Sequence, residues 1–261
     1  MLLENKNAVI YGAGGAVGSA IARAFAREGA KVFLAGRTLA KLDTVAAEIS
    51  AANGVSETAQ VDALDAEAVE LYINAIAEKS GHLDISFNAI GLEDVQGKSF
   101  ADLSFDDFNR PIANAMRTHF ITSMAVRRPM IRQGSGVIMA ITANAGSMAF
   151  SNVGGFGVAC AAIEGFCRQL AAELGPQGVR VICLRSAGSP DTPGVKEVFE
   201  LHARNSSTTF EEFLSSMSSG TLLKRLPLLA EVANAAALMA SDHASAMTAA
   251  VANLTCGMIA D

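Results

Sequence analysis

The stretch Ala8-Val-Ile-Tyr11, followed by Gly12-Ala-Gly14-Gly15-Ala16-Val17-Gly18, decides the fold. A short apolar run that ends in a glycine-rich segment is typical of a buried strand that leads into a tight turn. Residues 19–28 continue with apolar side chains at helical spacing and stop at Gly29. The opening of the chain therefore predicts a strand, a turn and a helix.

The same alternation of strand and helix continues through most of the chain. It predicts strands at Lys31–Ala35, Thr58–Val61, Leu83–Phe87, Val137–Ile141 and Val179–Leu184, and helices near residues 38–52, 65–79, 104–133 and 155–175. Such alternation implies right-handed crossovers and a parallel sheet with helices on both faces. With 261 residues, 51% of them hydrophobic, we expect one α/β domain over residues 1–261, a Rossmann-like doubly wound parallel sheet.

Residues 189–224 depart from this pattern. The segment contains Pro190, Pro193 and two runs rich in serine and threonine, and it is too polar for a core strand. A long insertion after a late strand often covers a site at the carboxyl ends of the strands. We expect a substrate lid, with an excursion over the surface as the alternative.

Composition excludes several classes of function. The net charge is −6 and no basic run occurs, so nucleic acid is not an expected partner. No apolar run approaches the roughly 18 residues of a membrane span, and the N-terminus lacks a leader pattern, so we expect a soluble, cytoplasmic protein without a membrane partner. The four cysteines have neither paired nor metal-ligand spacing, which predicts no metal site and no disulfide.

The glycine-rich turn satisfies the physical requirements of a dinucleotide site. Glycines let the main chain turn tightly and approach a pyrophosphate, and the following helix offers free N–H groups and the positive end of its dipole. Its position after the first strand of an α/β chain strengthens this interpretation. The residues predicted to contact the cofactor here are Gly12, Gly14, Gly15, Val17 and Gly18.

The end of the second predicted strand indicates which dinucleotide is bound. An acidic side chain there would accept hydrogen bonds from a free ribose 2′-hydroxyl, whereas a 2′-phosphate needs a cation. The sequence reads Ala35-Gly36-Arg37-Thr38, with no carboxylate and with Arg37 as a bidentate donor. The prediction is NADP(H); the alternative is that Arg37 is a solvated residue at a helix start.

Seven motifs in order resemble the short-chain dehydrogenase/reductase family over nearly the whole chain. Residues 11–18 look like its Thr-Gly-x-x-x-Gly-x-Gly turn, and Phe87-Asn-Ala-Ile-Gly91 resembles its Asn-Asn-Ala-Gly segment. The others are Val61-Asp-Ala63, Ser186-Ala-Gly188 with Thr192, Leu223-Lys-Arg-Leu226, Glu231-Val-Ala233 and Leu254-Thr-Cys-Gly257. The resemblance implies further cofactor contacts at Asp62, Ala63, Asn88, Ala89, Gly91, Gly188 and Thr192.

The catalytic residues that the resemblance implies are absent. Members of the family use an asparagine, a serine, a tyrosine that donates a proton to the substrate oxygen, and a lysine that favours the phenolate. The matching positions hold Ala115, Ala143, Phe156 and Cys160, although Asn114 precedes the first of them. The chain contains two tyrosines, Tyr11 and Tyr72, and neither lies in the region that would form the active site. The enoyl-reductase branch, which has a longer spacing from tyrosine to lysine, is excluded for the same reason.

Substitute polar groups are few. Asn144, Ser147 and Ser151 follow the serine position and could line the pocket as hydrogen-bond donors, whereas Thr142 should face the core because strand side chains alternate. His119 follows Ala115 by one helical turn and is the ionisable candidate, with a structural histidine as the favoured reading. His202 and Asp191 in the predicted lid are weaker candidates, and Cys160 reads as a small apolar residue.

Three interpretations of function remain open. The first is an NADP(H)-dependent oxidoreductase whose small organic substrate needs no tyrosine acid, such as an iminium, an activated alkene or a quinone-like carbonyl. The second is a catalytically silent nucleotide-binding or scaffold subunit, and the third is a non-redox catalyst in the same pocket. By resemblance, we expect a homodimer or homotetramer that assembles through residues 104–133 and 155–175.

Overall fold

A computed structural model describes residues 1–260. The strands are β1 (Asn7–Tyr11), β2 (Lys31–Gly36), β3 (Val55–Gln60), β4 (Ile85–Asn88), β5 (Gly136–Ala143), β6 (Val179–Ser186) and β7 (Ala250–Leu254). The helices are α1 (Ala16–Arg27), α2 (Leu39–Ala51), α3 (Ala66–Ser80), α4 (Phe105–Gln133), α5 (Phe156–Leu174), α6 (Pro193–Asn205), α7 (Phe210–Ser219) and α8 (Leu229–Ala240).

The seven strands form one parallel sheet in the order β3-β2-β1-β4-β5-β6-β7. The chain first builds outward from β1 to β3 and then returns to the other side of β1 at β4. This reversal is the switch point at which parallel α/β sheets open a crevice beyond the carboxyl ends of their strands. The predicted Rossmann-like α/β fold is confirmed.

Helices cover both faces of the sheet, and strand alternation sends successive side chains to opposite sides. In β1, Ala8 and Ile10 pack with α1, α2 and α8, whereas Val9 and Tyr11 pack with α3, α4 and α5. Every residue of β1 is buried. This explains why the strand reads as a continuous apolar run rather than an alternating one.

Several boundaries differ from the sequence prediction. Helix α1 begins at Ala16, inside the glycine-rich segment, and β3 begins at Val55, three residues before the predicted start. Helix α8 and strand β7 were not predicted, because α8 consists mainly of small residues and β7 is only half-buried. Residues 189–224 contain α6 and α7, which pack on each other through Phe199 and Phe213.

Candidate functional site

Two cavities lie beyond the carboxyl ends of the strands. The first, the β1–β4 groove, has a volume of about 270 Å³ and is lined by residues that follow β1, β2, β3 and β4, among them Gly12, Arg37, Asp62 and Ala89. The second, the β5–β6 cavity, has a volume of about 410 Å³ and is bounded by the ends of these two strands and by α5, α6 and α7. The segment after β4 lines both cavities, through Glu93 on one side and Asp94 on the other.

Two glycines shape the floor of the groove. Gly12 has φ of +74°, and a Cβ atom there would lie 2.6 Å from the carbonyl oxygen of Ala89. A Cβ atom on Gly18 would lie 2.3 Å from the carbonyl oxygen of Gly12, so α1 can pack against the turn only without a side chain at that position. The turn is fixed to β2, because the N–H groups of Gly12 and Ala13 both donate to the carbonyl oxygen of Ala35.

The groove fits a nicotinamide dinucleotide. Gly15 precedes α1 and offers no side-chain cap, which leaves the positive end of the helix dipole facing an incoming phosphate. Thr192, which follows β6 and lines neither cavity, is 4% exposed, and its hydroxyl has no hydrogen-bond partner among the described residues. The side chain does not cap α6, which starts beside it. Burying a hydroxyl without a hydrogen-bond partner costs free energy unless a ligand provides the partner. The resemblance implies that this ligand group is the amide of the nicotinamide.

Arg37 is paired with a carboxylate that the sequence analysis did not identify. Its Nη2 donates to Oε1 of Glu93 at 2.8 Å, across the mouth of the groove, and both side chains are largely exposed, at 65% and 49%. Glu93 has φ of +54°, and its carbonyl oxygen accepts a hydrogen bond from Arg110 on α4. A carboxylate two residues after Gly91 was visible in the sequence, but nothing there indicated that the chain would bring it to Arg37.

A smaller recess of about 160 Å³ opens beside Arg37. We call it the Arg37 recess; it is lined by Gly14, Arg37, Thr38 and Lys41 together with neighbouring main chain. It combines two cations, a hydroxyl and a glycine turn, which is a suitable donor set for a phosphate group. Lys41 was missed in the sequence analysis, although it follows Arg37 by four residues at the start of α2.

The other predicted cofactor residues fall into two groups. Those that line the groove are Asp62, Ala63, Ala89 and Gly91, together with Gly12, Gly15 and Arg37. Asn88 is instead part of the turn after β4: its Oδ1 accepts from the N–H of Ile90, and its Nδ2 donates to Thr122. Val17 and Gly18 lie in the first turn of α1, and Gly188 lines the β5–β6 cavity. Asn114 lines the groove, whereas Ala115 does not.

The wall of the β5–β6 cavity contains two of the positions that the resemblance assigns to catalysis. Ala143 ends β5 and Phe156 begins α5, and both side chains line the cavity, as does the predicted candidate Asn144. None of these three can donate a proton as an acid at neutral pH. Tyr11 lines the β1–β4 groove and Tyr72 lies on α3, so neither tyrosine reaches this cavity.

The other two assigned positions are buried behind the wall. Ala115 and Cys160 are each 1% exposed, and burial raises the pKa of the Cys160 thiol to about 12, so the thiol stays protonated and unreactive. Thr142 faces the core, as expected, and donates to Glu164, which also accepts two hydrogen bonds from Arg185. A buried ion pair therefore lies next to the position that holds the lysine in the resemblance.

The remaining candidates have structural surroundings. His119 is buried, and its Nδ1 donates to the carbonyl oxygen of Ala115 at 2.8 Å; burial lowers its pKa to about 4, and it lines neither cavity. Ser147 is exposed and also lines neither. Asp191 accepts from the N–H of Leu229 at the start of α8. His202 does line the β5–β6 cavity.

A chain of hydrogen bonds crosses the outer part of this cavity. The amide of Gln96 donates to Oδ2 of Asp94 at 2.7 Å, and its Oε1 lies 2.8 Å from Nε2 of His202. The imidazole of His202 stacks on the ring of Phe213, with 14° between the planes. The sequence analysis missed Gln96 because it lies in a loop without a motif, more than a hundred residues from His202.

Among residues 1–260, no helix has both the length and the apolar character needed to cross a membrane. The same part of the chain contains no cluster of histidine, cysteine, aspartate or glutamate with metal-binding geometry.

Comparisons with known proteins agree with this architecture. The family model described as enoyl-(acyl carrier protein) reductase matches residues 12–259. Levodione reductase of Leifsonia aquatica is 30% identical over 257 residues, which cover 97% of this chain and 93% of the relative. An uncharacterized oxidoreductase of Mycobacterium tuberculosis is 31% identical over 249 residues, or 94% of this chain and 89% of the relative.

Solved structures superpose over nearly the whole chain. The crystal structure of NAD⁺-bound xylitol dehydrogenase gives a TM-score of 0.92 at 23% identity, over 98% of this chain and 100% of that one. Levodione reductase gives a TM-score of 0.88 at 26% identity, over 97% of both chains. The chain belongs to the short-chain dehydrogenase/reductase family of oxidoreductases, whose members use nicotinamide cofactors, act on small molecules and are typically oligomeric.

Proposed function

We propose that this chain is an atypical NADP(H)-dependent oxidoreductase of the family, acting on a small organic substrate that needs no tyrosine proton donor. The observation that carries the proposal is the contrast between its two cavities. The β1–β4 groove has the glycine floor, helix terminus and cations that suit a dinucleotide, whereas the β5–β6 cavity presents Ala143 and Phe156 where a serine and a tyrosine would act.

The Arg37 recess supports NADP(H) over NAD(H). Arg37 and Lys41 can both donate to a ribose 2′-phosphate, and Thr38 adds a hydroxyl. A hydrogen bond to a charged group contributes about 1.5–3 kcal/mol, which corresponds to roughly 10- to 100-fold in affinity. Glu93 weakens this preference, since its carboxylate occupies Arg37 and repels a phosphate.

The proposed substrates follow from the absence of an acid side chain. The reduced nicotinamide supplies a hydride, which is two electrons and one proton. An iminium ion that accepts a hydride at carbon becomes a neutral amine, so no further proton is required. An activated alkene or a quinone-like carbonyl becomes an anion that takes its proton from water. The main task of the cavity walls is then to orient the substrate and limit the access of water. We propose that α6 and α7 act as the lid.

A nucleotide titration tests the first half of the proposal. Cofactor fluorescence should show NADPH binding to the wild type more tightly than NADH. Arg37→Ala and Lys41→Ala should each weaken NADPH binding by roughly 10- to 100-fold and change NADH binding by less than about twofold. Arg23→Ala, which removes a surface arginine paired with Glu48, is the matched control. Preference for NADH in the wild type would contradict the nucleotide assignment.

Turnover tests the second half. Purified protein with NADPH is mixed with an iminium salt, an activated alkene and a quinone, and absorbance of the reduced nicotinamide is followed. Oxidation of NADPH in step with product formation is expected for at least one of the three. Tight NADPH binding without turnover would favour the silent-subunit interpretation, which the buried, apolar Ala115 and Cys160 support. Product without nicotinamide oxidation would indicate a non-redox catalyst.

A homodimer or homotetramer formed through α4 and α5 is also proposed, in the cytoplasm, where most members of the family act. Three large apolar side chains on these helices are exposed, Phe105 at 73%, Phe120 at 56% and Val158 at 45%. Burying them against another copy would remove apolar surface from water. Light scattering should give a mass of two or four chains, and Phe120→Glu should shift it toward one; a wild-type monomer would contradict this proposal.

A further inference from the structure

The β5–β6 cavity is mostly apolar, and its apolar side chains come from three helices. Phe156 begins α5, Val198 and Phe199 belong to α6, and Phe213 and Met217 belong to α7. A volume of about 410 Å³ lies within the range of pockets that enclose small organic ligands. The apolar walls favour a ligand that removes apolar surface from water when it enters.

The charges around the cavity are unfavourable for an anion. Among the described residues that line it, Asp94 is the only acidic one, and neither lysine nor arginine is present. A carboxylate or phosphate would meet no cation with which to form a bidentate hydrogen bond, and it would be repelled by Asp94. A polyol would remove little apolar surface from water, and beside the apolar walls only Gln96, Asn144, Ser151, Ser206 and His202, with Asp94, could meet its hydroxyl groups.

The surroundings of His202 define which of its two ring nitrogens carries a hydrogen. Asp94 can only accept, so the amide nitrogen of Gln96 points to it, and the amide oxygen of Gln96 points to Nε2 of His202. Nε2 must then carry the hydrogen. Burial lowers the pKa of His202, so the ring is neutral and its Nδ1 is an unprotonated acceptor.

Neighbouring residues fix the position of the His202 imidazole in addition to its tautomer. The ring is stacked on Phe213 on one side and tied to Gln96 through Nε2. Nδ1 forms no hydrogen bond to any residue in the described part of the chain. His202 lines the cavity, so its acceptor would favour a ligand with one hydroxyl or N–H group at the matching place.

We propose that the β5–β6 cavity binds a largely apolar, ring-sized molecule without negative charge that donates one hydroxyl or N–H hydrogen bond to Nδ1 of His202. The inference rests on the proposed function insofar as this cavity is the substrate site of the oxidoreductase. It narrows the substrate class: a cyclic iminium ion with an N–H group, or an activated alkene that carries a hydroxyl or N–H group, fits the cavity, whereas carboxylates, sugar phosphates and quinones without a donor do not.

Calorimetric titration of the full chain with four probes, with and without saturating NADPH, tests the proposal. Three probes share one ring system and differ in their polar group, and the fourth is a polyol. The probes are 1-tetralol, tetralin, 1,2,3,4-tetrahydro-1-naphthoate and xylitol. The tetralol should bind roughly three- to tenfold more tightly than tetralin, since one hydrogen bond distinguishes them. The naphthoate and xylitol should bind at least about tenfold more weakly than the tetralol.

His202→Phe keeps the stacking on Phe213 and removes Nδ1. It should weaken tetralol binding by roughly three- to tenfold and leave tetralin binding unchanged. His243→Phe is the matched control, because His243 is exposed on the turn after α8 and lies outside the cavity lining. A second variant, Met217→Lys, adds a cation to the cavity and should reverse the preference toward the naphthoate.

Three results would overturn the proposal. They are a wild-type preference for the naphthoate or xylitol, an unchanged ratio of tetralol to tetralin affinity in folded His202→Phe, and no binding of either neutral probe at about 1 mM. The readout does not depend on turnover. Failure of NADPH binding or oxidation would therefore contradict the proposed function and leave this binding result intact. NADPH binding and oxidation together with a failed probe titration would contradict only the substrate class.

Discussion

The β1–β4 groove and the β5–β6 cavity lie at the same edge of the sheet, yet they are made from different parts of the chain. The groove is lined mainly by the turns that follow β1 to β4, and main-chain atoms make the closest approaches there at Gly12 and Gly18. The cavity is made of side chains from α5, α6 and α7. A main-chain site tolerates few substitutions, whereas a side-chain site can change its chemistry residue by residue while the fold stays the same.

The consequence is visible at Gly18 and Phe156. A side chain at Gly18 would collide with the carbonyl oxygen of Gly12, so the groove and the packing of α1 would fail together. Phe156 is half-buried in the wall of the β5–β6 cavity, so its side chain sets the chemistry of that wall. The predictions below test this contrast from the strongest effect to the weakest.

Gly18→Ala should have the largest combined effect, because it lowers both stability and cofactor affinity. The added Cβ atom would lie 2.3 Å from the carbonyl oxygen of Gly12, so α1 or the turn must move. We expect the free energy of unfolding to fall by about 2–3 kcal/mol and NADPH affinity to fall by about 100-fold, because main-chain donors to the pyrophosphate are displaced. Urea unfolding and cofactor fluorescence measure the two effects.

Gly165→Ala provides the matched control. Gly165 lies inside α5, and the nearest atom to an added Cβ would be Nη2 of Arg168 at 3.9 Å. This substitution should stabilise the protein by about 0.5–1 kcal/mol, as expected for glycine to alanine in a helix. If Gly18→Ala behaves like Gly165→Ala, the close packing of α1 on the turn does not constrain the groove.

The parallel α/β fold, the glycine turn after β1 and the location of Arg37 at the end of β2 depend on local spacing, so the sequence could predict them. The roles of these residues toward a cofactor stay predictions. The Arg37–Glu93 pair and the series Asp94, Gln96 and His202 could not be predicted, because they join residues far apart in sequence. Helix α8 and β7 were missed because their residues are small or half-buried, which leaves a weak periodic signal.

The residues that the resemblance implies should be tolerated at position 156 and should destabilise the protein at position 160. Phe156→Tyr adds a hydroxyl at a cavity wall and should change the free energy of unfolding by less than about 0.5 kcal/mol. Cys160→Lys places an ammonium at a buried position where Glu164 is already paired with Arg185, and it should cost about 3 kcal/mol. Urea unfolding of the two variants compares them directly; equal stability would show that the region behind the wall still accommodates a lysine.

His119 predicts a pH effect on stability without an effect on catalysis. Its pKa falls from 6.5 to about 4 in the folded chain, so unfolding takes up a proton as the pH drops. The stability that the neutral ring contributes is complete above pH 6.5 and is lost as the pH falls toward 4, by roughly 3 kcal/mol in all. Urea unfolding between pH 4 and 7.5 should show this loss in the wild type and a shallower slope in His119→Asn.

The exposed His243 supplies the control for that series, because His243→Asn should leave the slope unchanged. A wild-type slope equal to that of His119→Asn would show that His119 is accessible to protons in the folded state. The loss of stability at low pH would then need another titrating group as its source, since His119 would take up its proton equally in both states.

Glu93→Gln should have the smallest effect and the most specific one. The substitution releases Arg37 from an exposed ion pair, which contributes about 0.2–1 kcal/mol, and it removes a negative charge beside the Arg37 recess. NADPH should bind about three- to fivefold more tightly, whereas NADH, which has no 2′-phosphate, should change by less than about twofold. Cofactor fluorescence at low and high salt measures both, and the gain should shrink at high salt because screening weakens interactions between exposed charges.

Glu48→Gln is the matched control for this last effect, since Glu48 forms a comparable exposed pair with Arg23 away from the groove. It should leave both nucleotide affinities unchanged. An equal gain for NADPH and NADH in Glu93→Gln would mean that Glu93 acts on a part of the cofactor that both share. A loss of NADPH affinity would mean that Glu93 positions Arg37 for the phosphate rather than competing with it. Either result would show that a side chain controls nucleotide specificity in the groove, although glycines and main chain shape its floor.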